Sequence, residues 1–216
     1  MTGFRDSSGR RLDDYPRPSV AVDTAVLTVV DGALAVLLVR AGRSDDEWRL
    51  PGSFLHEGET LRSAVLRSLR VKAGVEGLRP RQLHVFDRPG RDDRGWVLSV
   101  AHVDVVRADR VPISKGHQLA RVGDLPDLKY DHGEIVAFAV DALRADYRGT
   151  PDPAGLLTAP FTMRQLRLTH EAVSGERLLP DTFRRAMAPR LRATGEMLVE
   201  GRGRPAELFD FRSTHI

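Results

Sequence analysis

The chain has 216 residues, of which 41% are hydrophobic and 29% charged, a composition typical of a globular protein. It has no cysteine, which excludes disulfide bonds and any metal site built on thiolates. No apolar run reaches the roughly 18 residues that a membrane span requires. The polar N-terminus also predicts no secretory signal, so we expect a cytoplasmic protein without a membrane partner. The net charge of +3 is a weak indication of an anionic partner.

Short strand-like runs dominate residues 20–106. Two apolar runs flank an Asp-Gly dipeptide, a sequence typical of a β-hairpin turn. A short strand is expected at 48–50, and residues 61–73 have apolar side chains at helical spacing. Two further strand-like runs follow, RQLHVFDR and WVLSVAHVDVV, and residues 135–147 predict a second amphipathic helix.

The tract RGTPDPAG at 148–155 is rich in turn residues and predicts a linker between two domains. We expect a flexible N-terminal segment at 1–18, a first domain at 19–147 and a second domain at 156–212. After the linker the pattern changes to two helices, and the last residues predict a β-hairpin.

The two helices and the hairpin of the second domain predict a DNA reader. Thr162 is expected to cap the first helix and Gly175 to end it, while Pro180 suits the first turn of the second. Apolar side chains expected on the core side of the helices are Met163, Leu166, Leu168, Val173, Phe183 and Met187. Pro189 should end the second helix early. We expect DNA contacts from Arg164, Gln165, Thr182, Arg184, Arg185, Arg202 and Arg204.

Arginine is concentrated in this second domain. Between residues 184 and 204 there are six arginines and two glutamates, a local charge of +4. The basic tip of the hairpin, Arg-Gly-Arg-Pro at 202–205, has a sequence that suits a narrow A·T minor groove. A single arginine of this kind is better explained as a solvated surface charge, but the set on this scaffold favours DNA.

Residues 48–75, WRLPGSFLHEGETLRSAVLRSLRVKAGV, resemble the Nudix hydrolase signature G-x5-E-x7-R-E-U-x-E-E-x-G-U, where U is apolar. We call residues 53–75 the Nudix box. The positions that match are Glu59, Arg67, Leu69, Gly74 and Val75. Ser53 stands at the first glycine, and Ser68, Val71 and Lys72 stand where the signature has its other three acidic residues.

The missing acidic residues bear directly on catalysis. By resemblance, the glutamates of the signature hold Mg²⁺ or Mn²⁺, hard cations that need several oxygen ligands. Val71 has no ligand atom, and Lys72 places a positive charge where the metal charge belongs. We therefore predict no catalytic residues, no metal site and no enzymatic activity. Glu59 and Arg67 either form an ion pair that supports the fold or contact a ligand.

Further motifs resemble the Nudix-related transcriptional regulators of NAD metabolism, the NrtR family. The stretches that carry the resemblance are Tyr130-Asp131-His132, Phe161-Thr162, Phe183-Arg184-Arg185 and the terminal RGRPA. The resemblance implies a Nudix-like α/β/α sandwich followed by a C-terminal winged helix-turn-helix. It also implies a ligand-responsive repressor of NAD biosynthesis or salvage genes. The implied partners are a palindromic double-stranded DNA operator, a second copy of the chain in a homodimer, and ADP-ribose or a related NAD metabolite as effector, with no cofactor.

The ligand contacts that we expect in the first domain are Arg49, Phe54, Glu59, Arg94 and His132. Phe54 either stacks on an adenine or packs in the core. His132 either orients a ligand or caps the helix that follows it. The alternative function for the whole chain is a Nudix-type hydrolase of ADP-ribose or a similar nucleoside diphosphate.

Overall fold

A computed structural model describes residues 5–40, 47–112, 114–199 and 205–212. The helices within these ranges are Leu61–Ser68 (α1), His132–Asp146 (α2), Met163–Ser174 (α3) and Pro180–Met187 (α4). The strands are Ser19–Val30 (β1), Ala33–Arg40 (β2), Trp48–Arg49 (β3), Gly52–Phe54 (β4), Arg81–Phe86 (β5), Val97–Val105 (β6), His117–Arg121 (β7), Phe161–Thr162 (β8), Leu191–Leu198 (β9) and Ala206–Phe211 (β10). None of these helices is long and apolar enough to span a lipid bilayer.

Seven strands form one mixed sheet in the N-terminal half. β1 lies at its centre, parallel to β6 and antiparallel to β2, and the order across the sheet is β3-β2-β1-β6-β5. β4 pairs with the first residues of β1, and β7 pairs with β2. The eight consecutive residues 21–28 of β1 are all buried. A strand is buried in this way when both faces of its sheet are covered.

Two helices cover the opposite faces of this sheet. The core on the α1 side includes Val22, Val26, Leu37, Val65 and Leu69. The core on the α2 side includes Leu27, Leu38, Ile135, Val136 and Leu143. Neighbouring residues of β1 and β2 point to opposite cores, as the two-residue period of a strand requires. This N-terminal half is an α/β/α sandwich, as the sequence predicts.

The C-terminal part is a winged helix. Its sheet has the order β8-β10-β9, and α3 and α4 pack on it. The core that joins helices and sheet contains Phe161, Leu166, Phe183, Met187, Leu191 and Phe209. Thr162 caps α3, and Gly175 ends it in a left-handed conformation with a φ of 78°. α4 ends at Met187, just before Pro189, so these sequence predictions are confirmed.

The two parts are joined through a buried polar contact between the end of α2 and the segment that follows it. The Tyr147 hydroxyl, at the end of α2, donates a hydrogen bond to Asp152 Oδ1 at 2.5 Å. Asp152 also accepts the backbone N–H groups of Leu156 and Leu157. The Tyr147 ring lies 5.0 Å from the ring of His170 on α3, with an edge-to-face geometry. The tract predicted as a linker therefore contains a buried side chain that organises the junction.

Some local expectations are wrong. α2 begins at His132, three residues before the predicted start, and ends at Asp146. β4 and β7 were not predicted, since each is short and lacks a clear alternation of apolar residues. Leu168 is 38% exposed instead of packing in the core, because it lies on the outer side of α3. The exact domain boundaries stay predictions.

Candidate ligand cavity and DNA-reading surface

A cavity of ≈ 240 Å³ opens between the Nudix box, the loop before β6 and the start of α2. Four of the five predicted ligand contacts line it: Arg49, Phe54, Arg94 and His132. They come from β3, β4, the 88–96 loop and α2, so the fold brings together residues that are far apart in sequence. We call this space the ligand cavity. Whether these side chains contact a ligand stays a prediction.

His132 is fixed by hydrogen bonds inside the ligand cavity. Its Nδ1 accepts the backbone N–H of Leu50 at 3.0 Å, and its Nε2 lies 3.3 Å from Oδ1 of the buried Asp23. An Nδ1 that accepts a hydrogen bond leaves the proton on Nε2, which then donates to the carboxylate. Burial raises the pKa of Asp23, but the hydrogen bonds from His132 and Ser99 outweigh burial and hold that pKa below its usual value. The side chain of His132 is thus held by Leu50 and Asp23, and it also lines the ligand cavity.

The glycine of β4 allows this arrangement. A Cβ atom on Gly52 would lie 1.8 Å from Asp23 Oδ1 and 2.9 Å from the carbonyl oxygen of Val22. Both atoms belong to β1, with which β4 pairs. Any larger residue at 52 would push the Asp23 carboxylate away from His132. Gly52 therefore sets the close approach between β4 and the acid inside the ligand cavity.

The ligand cavity is positively charged. Two of its arginines are paired: Arg91 with the buried Asp131, and Arg94 with Asp92 through Nε and Nη2 at 2.8 and 2.6 Å. Arg49 has no ion pair within the described ranges. The ammonium group of Lys72 donates a hydrogen bond to the carbonyl oxygen of Gly52. Partial burial of this group, and then the nearby charge of Arg49, lower the pKa of Lys72.

Glu59 lies outside the residues that line the ligand cavity. Its carboxylate accepts two hydrogen bonds from Arg67, each at 2.8 Å, and one from the backbone N–H of His56 at 3.1 Å. The hydrogen bonds from Arg67 lower the pKa of Glu59 to about 2. Arg67 also donates to Ser53 Oγ and to the Phe54 carbonyl. The Glu59–Arg67 pair fastens the loop of the Nudix box onto α1 and positions Phe54.

The Nudix box does not fit a divalent metal ion. Ser68 is buried, and its hydroxyl has no hydrogen-bond partner. The side chain of Val71 is 72% exposed, and Lys72 brings an ammonium group into the ligand cavity. In the part of the chain that the structure describes, no three His, Cys, Asp or Glu side chains cluster in a way that could hold a metal. Mg²⁺ needs several oxygen ligands, which these side chains do not supply.

The predicted DNA-reading surface is the exposed side of α4, with Thr182, Arg184 and Arg185, together with the exposed Arg164 and Gln165 of α3. Thr182, Arg184 and Arg185 are exposed, as predicted, while Phe183 is buried. Arg184 Nη2 lies 3.0 Å from Oε2 of Glu207 on β10, and its guanidinium lies over the Phe209 ring. Arg185 forms no ion pair within the described ranges. The predicted recognition helix, α4, thus presents one arginine tied to β10 and one exposed to solvent without an ion pair in the described ranges.

The remaining predicted DNA contacts differ in how the structure holds them. Arg164 is exposed on the first turn of α3. Gln165 is also exposed, but its Oε1 accepts the backbone N–H of Thr162 at 2.7 Å, so this oxygen completes the helix cap. Arg202 and Arg204 lie outside the described residues.

Several residues of the ligand cavity escaped the sequence analysis. Asp23 is a single carboxylate inside a long apolar strand, a signal that could have marked it as functional or buried. Arg91 and Asp92 gave no such signal, since they lie in polar loops where charged residues are common, and Tyr130 was marked only by the motif that it shares with Asp131 and His132. Their role depends on loop positions that only the tertiary fold defines.

Family models match both halves of the chain. The NUDIX domain model matches residues 19–141, and the model of the NrtR DNA-binding winged helix domain matches residues 153–211. The chain belongs to the NrtR family of Nudix proteins. The predicted family and the order of its two domains are therefore confirmed.

Individual members of the Nudix and NrtR families resemble the chain over different lengths. The ADPR responsive transcriptional repressor NtrR of Acinetobacter baylyi is 28% identical, over 92% of this chain and 84% of the relative. NrtR of Shewanella oneidensis in complex with a 27mer DNA is 29% identical, with a TM-score of 0.72 over 89% of this chain and 93% of that one. The Nudix domain of that protein in complex with ADP ribose is 26% identical, with a TM-score of 0.54 over 63% of this chain and 95% of the domain. A hydrolase is also similar: an ADP-ribose pyrophosphatase of Methanocaldococcus jannaschii is 30% identical over 61% of this chain and 78% of its own length.

Proposed function

We propose that the protein is a transcriptional repressor whose ligand cavity binds ADP-ribose or a related NAD metabolite and whose winged helix binds double-stranded DNA. NAD biosynthesis or salvage genes are its proposed targets. The observation that carries the proposal is the charge of the ligand cavity. Four cationic side chains line it, Arg49, Lys72, Arg91 and Arg94. One of them, Lys72, stands where the hydrolase signature has a metal-binding acid. Such a cavity suits binding of an anionic diphosphate without its hydrolysis. Relatives that respond to ADPR or bind DNA support the same reading.

The absence of enzymatic activity is part of this proposal. Cleavage of a diphosphate by metal catalysis needs ions that neutralise the phosphates and activate water. Ser68, Val71 and Lys72 offer such ions no carboxylate. The hydrolase alternative rests on similarity of the N-terminal half alone, and of the four acidic positions of the signature the Nudix box keeps only Glu59. The chain therefore keeps the shape of a hydrolase site and uses it for recognition.

Helix α2 is the proposed connection between ligand and DNA. Its first residue, His132, lines the ligand cavity, and the helix extends over 15 residues, about 22 Å. Near its other end, Arg144 Nε donates a hydrogen bond to the Val173 carbonyl at the end of α3, at 3.2 Å. A ligand that binds one position of α2 better than another would shift α3 and with it the winged helix.

A buried aromatic row extends this connection to the recognition helix. Tyr147 packs against His170, and the His170 ring lies 4.9 Å from the ring of Phe183 on α4. His170 Nε2 also donates to the Pro151 carbonyl at 2.5 Å. Packed interiors transmit small displacements because they have little free volume. We propose that this row couples the position of α2 to that of α4.

The protein is further proposed to act as a homodimer on a palindromic operator. A single winged helix offers few base contacts, and two copies related by a two-fold axis would read two half-sites. The experiment that tests the whole proposal is a fluorescence anisotropy titration with a duplex that carries the inverted repeat upstream of the neighbouring genes. We expect tight binding to this duplex, weaker binding to a scrambled one, and a change in the operator affinity when ADP-ribose is added. Equal affinity for both duplexes would contradict it.

A further inference from the structure

Three side chains meet at the mouth of the ligand cavity in an unusual way. The guanidinium carbon of Arg94 lies 4.9 Å from the ring centre of Phe54 and 4.8 Å from that of Tyr130, over both rings. Phe54 and Tyr130 both line the ligand cavity and come from separate elements, β4 and the segment just before α2. One planar cation thus contacts two aromatic rings of the ligand cavity.

Resting on the proposed function, we propose that Phe54 and Tyr130 form a clamp for the nucleobase of the ligand. Arg94 occupies this clamp in the free protein and leaves it when the base enters. A guanidinium is planar and stacks on aromatic faces, so it resembles a base in shape. Stacking of a base on an aromatic ring is stronger than a cation–π contact at an exposed site. The base therefore replaces Arg94 with a net gain.

The Arg94 side chain has room to move out of the clamp, and a buried carboxylate, Asp92, holds its guanidinium near the ligand cavity. Its side chain is 48% exposed, so it has space to turn. Asp92, whose own side chain is 2% exposed, holds the guanidinium through Nε and Nη2 and also accepts the backbone N–H of Arg94 at 3.0 Å. When the Arg94 side chain turns, its pairing with Asp92 keeps the guanidinium near the ligand cavity. The donors of Arg94 that Asp92 does not use would then face the phosphates of the ligand.

The positions of the two rings are set by the fold. The Phe54 carbonyl accepts a hydrogen bond from Arg67 at 3.0 Å, which holds the end of β4 against α1. Tyr130 has a φ of 58°, and the next residue, Asp131, is buried and paired with Arg91. A ring on a backbone held in this way needs little ordering when a base arrives. The clamp is preformed, and Arg94 is its movable part.

The proposal predicts opposite effects of Arg94 on two ligands. Adenosine has a base but no phosphate, so removal of Arg94 should only open the clamp for it. We expect Arg94→Ala to bind adenosine roughly 5- to 30-fold more tightly than the wild type, the loss of two cation–π contacts converted to affinity. ADP-ribose should gain less or lose affinity, because its phosphates lose a cation. Calorimetric titrations of the full chain with both ligands measure this difference.

Two further sets of variants control for a loss of folding and for effects unrelated to the clamp. Because Arg94→Ala leaves the buried Asp92 unpaired, Arg94→Lys serves as a second variant that keeps the charge but lacks the planar group. Arg94→Lys should also tighten adenosine binding, by a smaller factor. Phe54→Leu and Tyr130→Leu, each combined with Arg94→Lys, should abolish this gain. Thermal unfolding of every variant checks that it folds.

The outcomes separate this inference from the proposed function. If ADP-ribose binds the wild type but adenosine binds both Arg94 variants no better than the wild type, the clamp is wrong and the sensor stands. If ADP-ribose fails to bind while both variants gain adenosine affinity, the clamp stands and the proposed effector is wrong. No adenosine binding to any variant at millimolar concentration also overturns the clamp.

Discussion

The Lys72 ammonium group donates a hydrogen bond to the Gly52 carbonyl oxygen inside the ligand cavity. Gly52 lies just before the Nudix box and Lys72 near its end, 20 positions apart in sequence. In the family signature this lysine position is acidic, so the resident positive charge stands where a metal ion would otherwise be needed. A ligand with phosphate groups would meet a covalently attached cation here, and its binding should not depend on divalent ions.

The first prediction concerns this lysine. Lys72→Met keeps the aliphatic stem but removes the charge, so ADP-ribose binding should weaken by about 1.5–3 kcal/mol, roughly tenfold or more. Adenosine, which has no phosphate, should bind the variant almost as well as the wild type. Calorimetry in the presence of EDTA measures both. Arg70→Met is the matched control and should change neither affinity, because Arg70 is an exposed cation on the same π-helical turn as Lys72, Leu69–Ala73. Equal loss for adenosine and ADP-ribose would show that Lys72 does not contact phosphate.

The second prediction is that the protein does not hydrolyse ADP-ribose. The Nudix box has Ser68, Val71 and Lys72 at positions that need carboxylates for Mg²⁺ or Mn²⁺. Chromatography of AMP after incubation with ADP-ribose and either metal should show no metal-dependent turnover. A rate near one per second, ordinary for enzymes, would overturn the regulator as the only function.

The sequence predicted the fold better than it predicted the ligand cavity. Long elements with a clear period, such as α3 and the β1–β2 hairpin, follow from local patterns of apolar residues. The clamp residue Tyr130 and the buried pair of Arg91 and Asp131 lie in polar loops, and their meeting depends on tertiary packing that no local pattern encodes. Glu59 illustrates the same limit, since its motif position alone did not decide between an ion pair and a ligand contact.

The third prediction uses the pair of Glu59 and Arg67. The pKa of Glu59 is lowered to about 2 by the hydrogen bonds from Arg67. A carboxylate with a lowered pKa in the folded state stabilises the fold at pH values above its ordinary pKa near 4.3, and this stabilisation is lost as the pH falls toward 2. Wild type should therefore unfold at a higher temperature than Glu59→Gln at pH 6, and the difference should shrink below about pH 4.5.

Its control is Glu57→Gln, a change at an exposed carboxylate two residues away. This variant should follow the wild type at every pH. Thermal unfolding followed by circular dichroism between pH 3 and pH 7 measures all three proteins. A gap between wild type and Glu59→Gln that stays constant over this range would mean that the Glu59 charge does not stabilise the fold.

The fourth prediction tests α2 as the connection between ligand and DNA. Arg144→Ala removes the hydrogen bond from α2 to the Val173 carbonyl on α3. Neither the ligand cavity nor α4 contains this side chain, so the affinities for ADP-ribose alone and for operator alone should change little. The factor by which ADP-ribose changes operator affinity should fall toward one. Arg148→Ala, an exposed arginine just beyond α2, is the control and should keep the full factor. An unchanged factor in Arg144→Ala would exclude this contact from the coupling.

The last prediction separates the arginines of the DNA-reading surface. Arg185 is exposed without an ion pair in the described part of the chain, so Arg185→Ala should weaken operator binding by about 1–3 kcal/mol if it contacts a base. Arg202→Ala and Arg204→Ala, in the basic Arg-Gly-Arg-Pro segment of the sequence, should weaken all sequences more evenly and reduce the salt slope by about one unit for each lost phosphate contact. Arg184 is held by Glu207 at 3.0 Å. Glu207→Gln should free this arginine and strengthen binding, whereas Glu196→Gln, an exposed acid on β9 of the same hairpin, should do so much less. Anisotropy titrations with operator and scrambled duplexes at several salt concentrations measure these effects. If Glu207→Gln and Glu196→Gln raise the affinity equally, net charge alone explains the gain and Arg184 is not a DNA contact restrained by the hairpin.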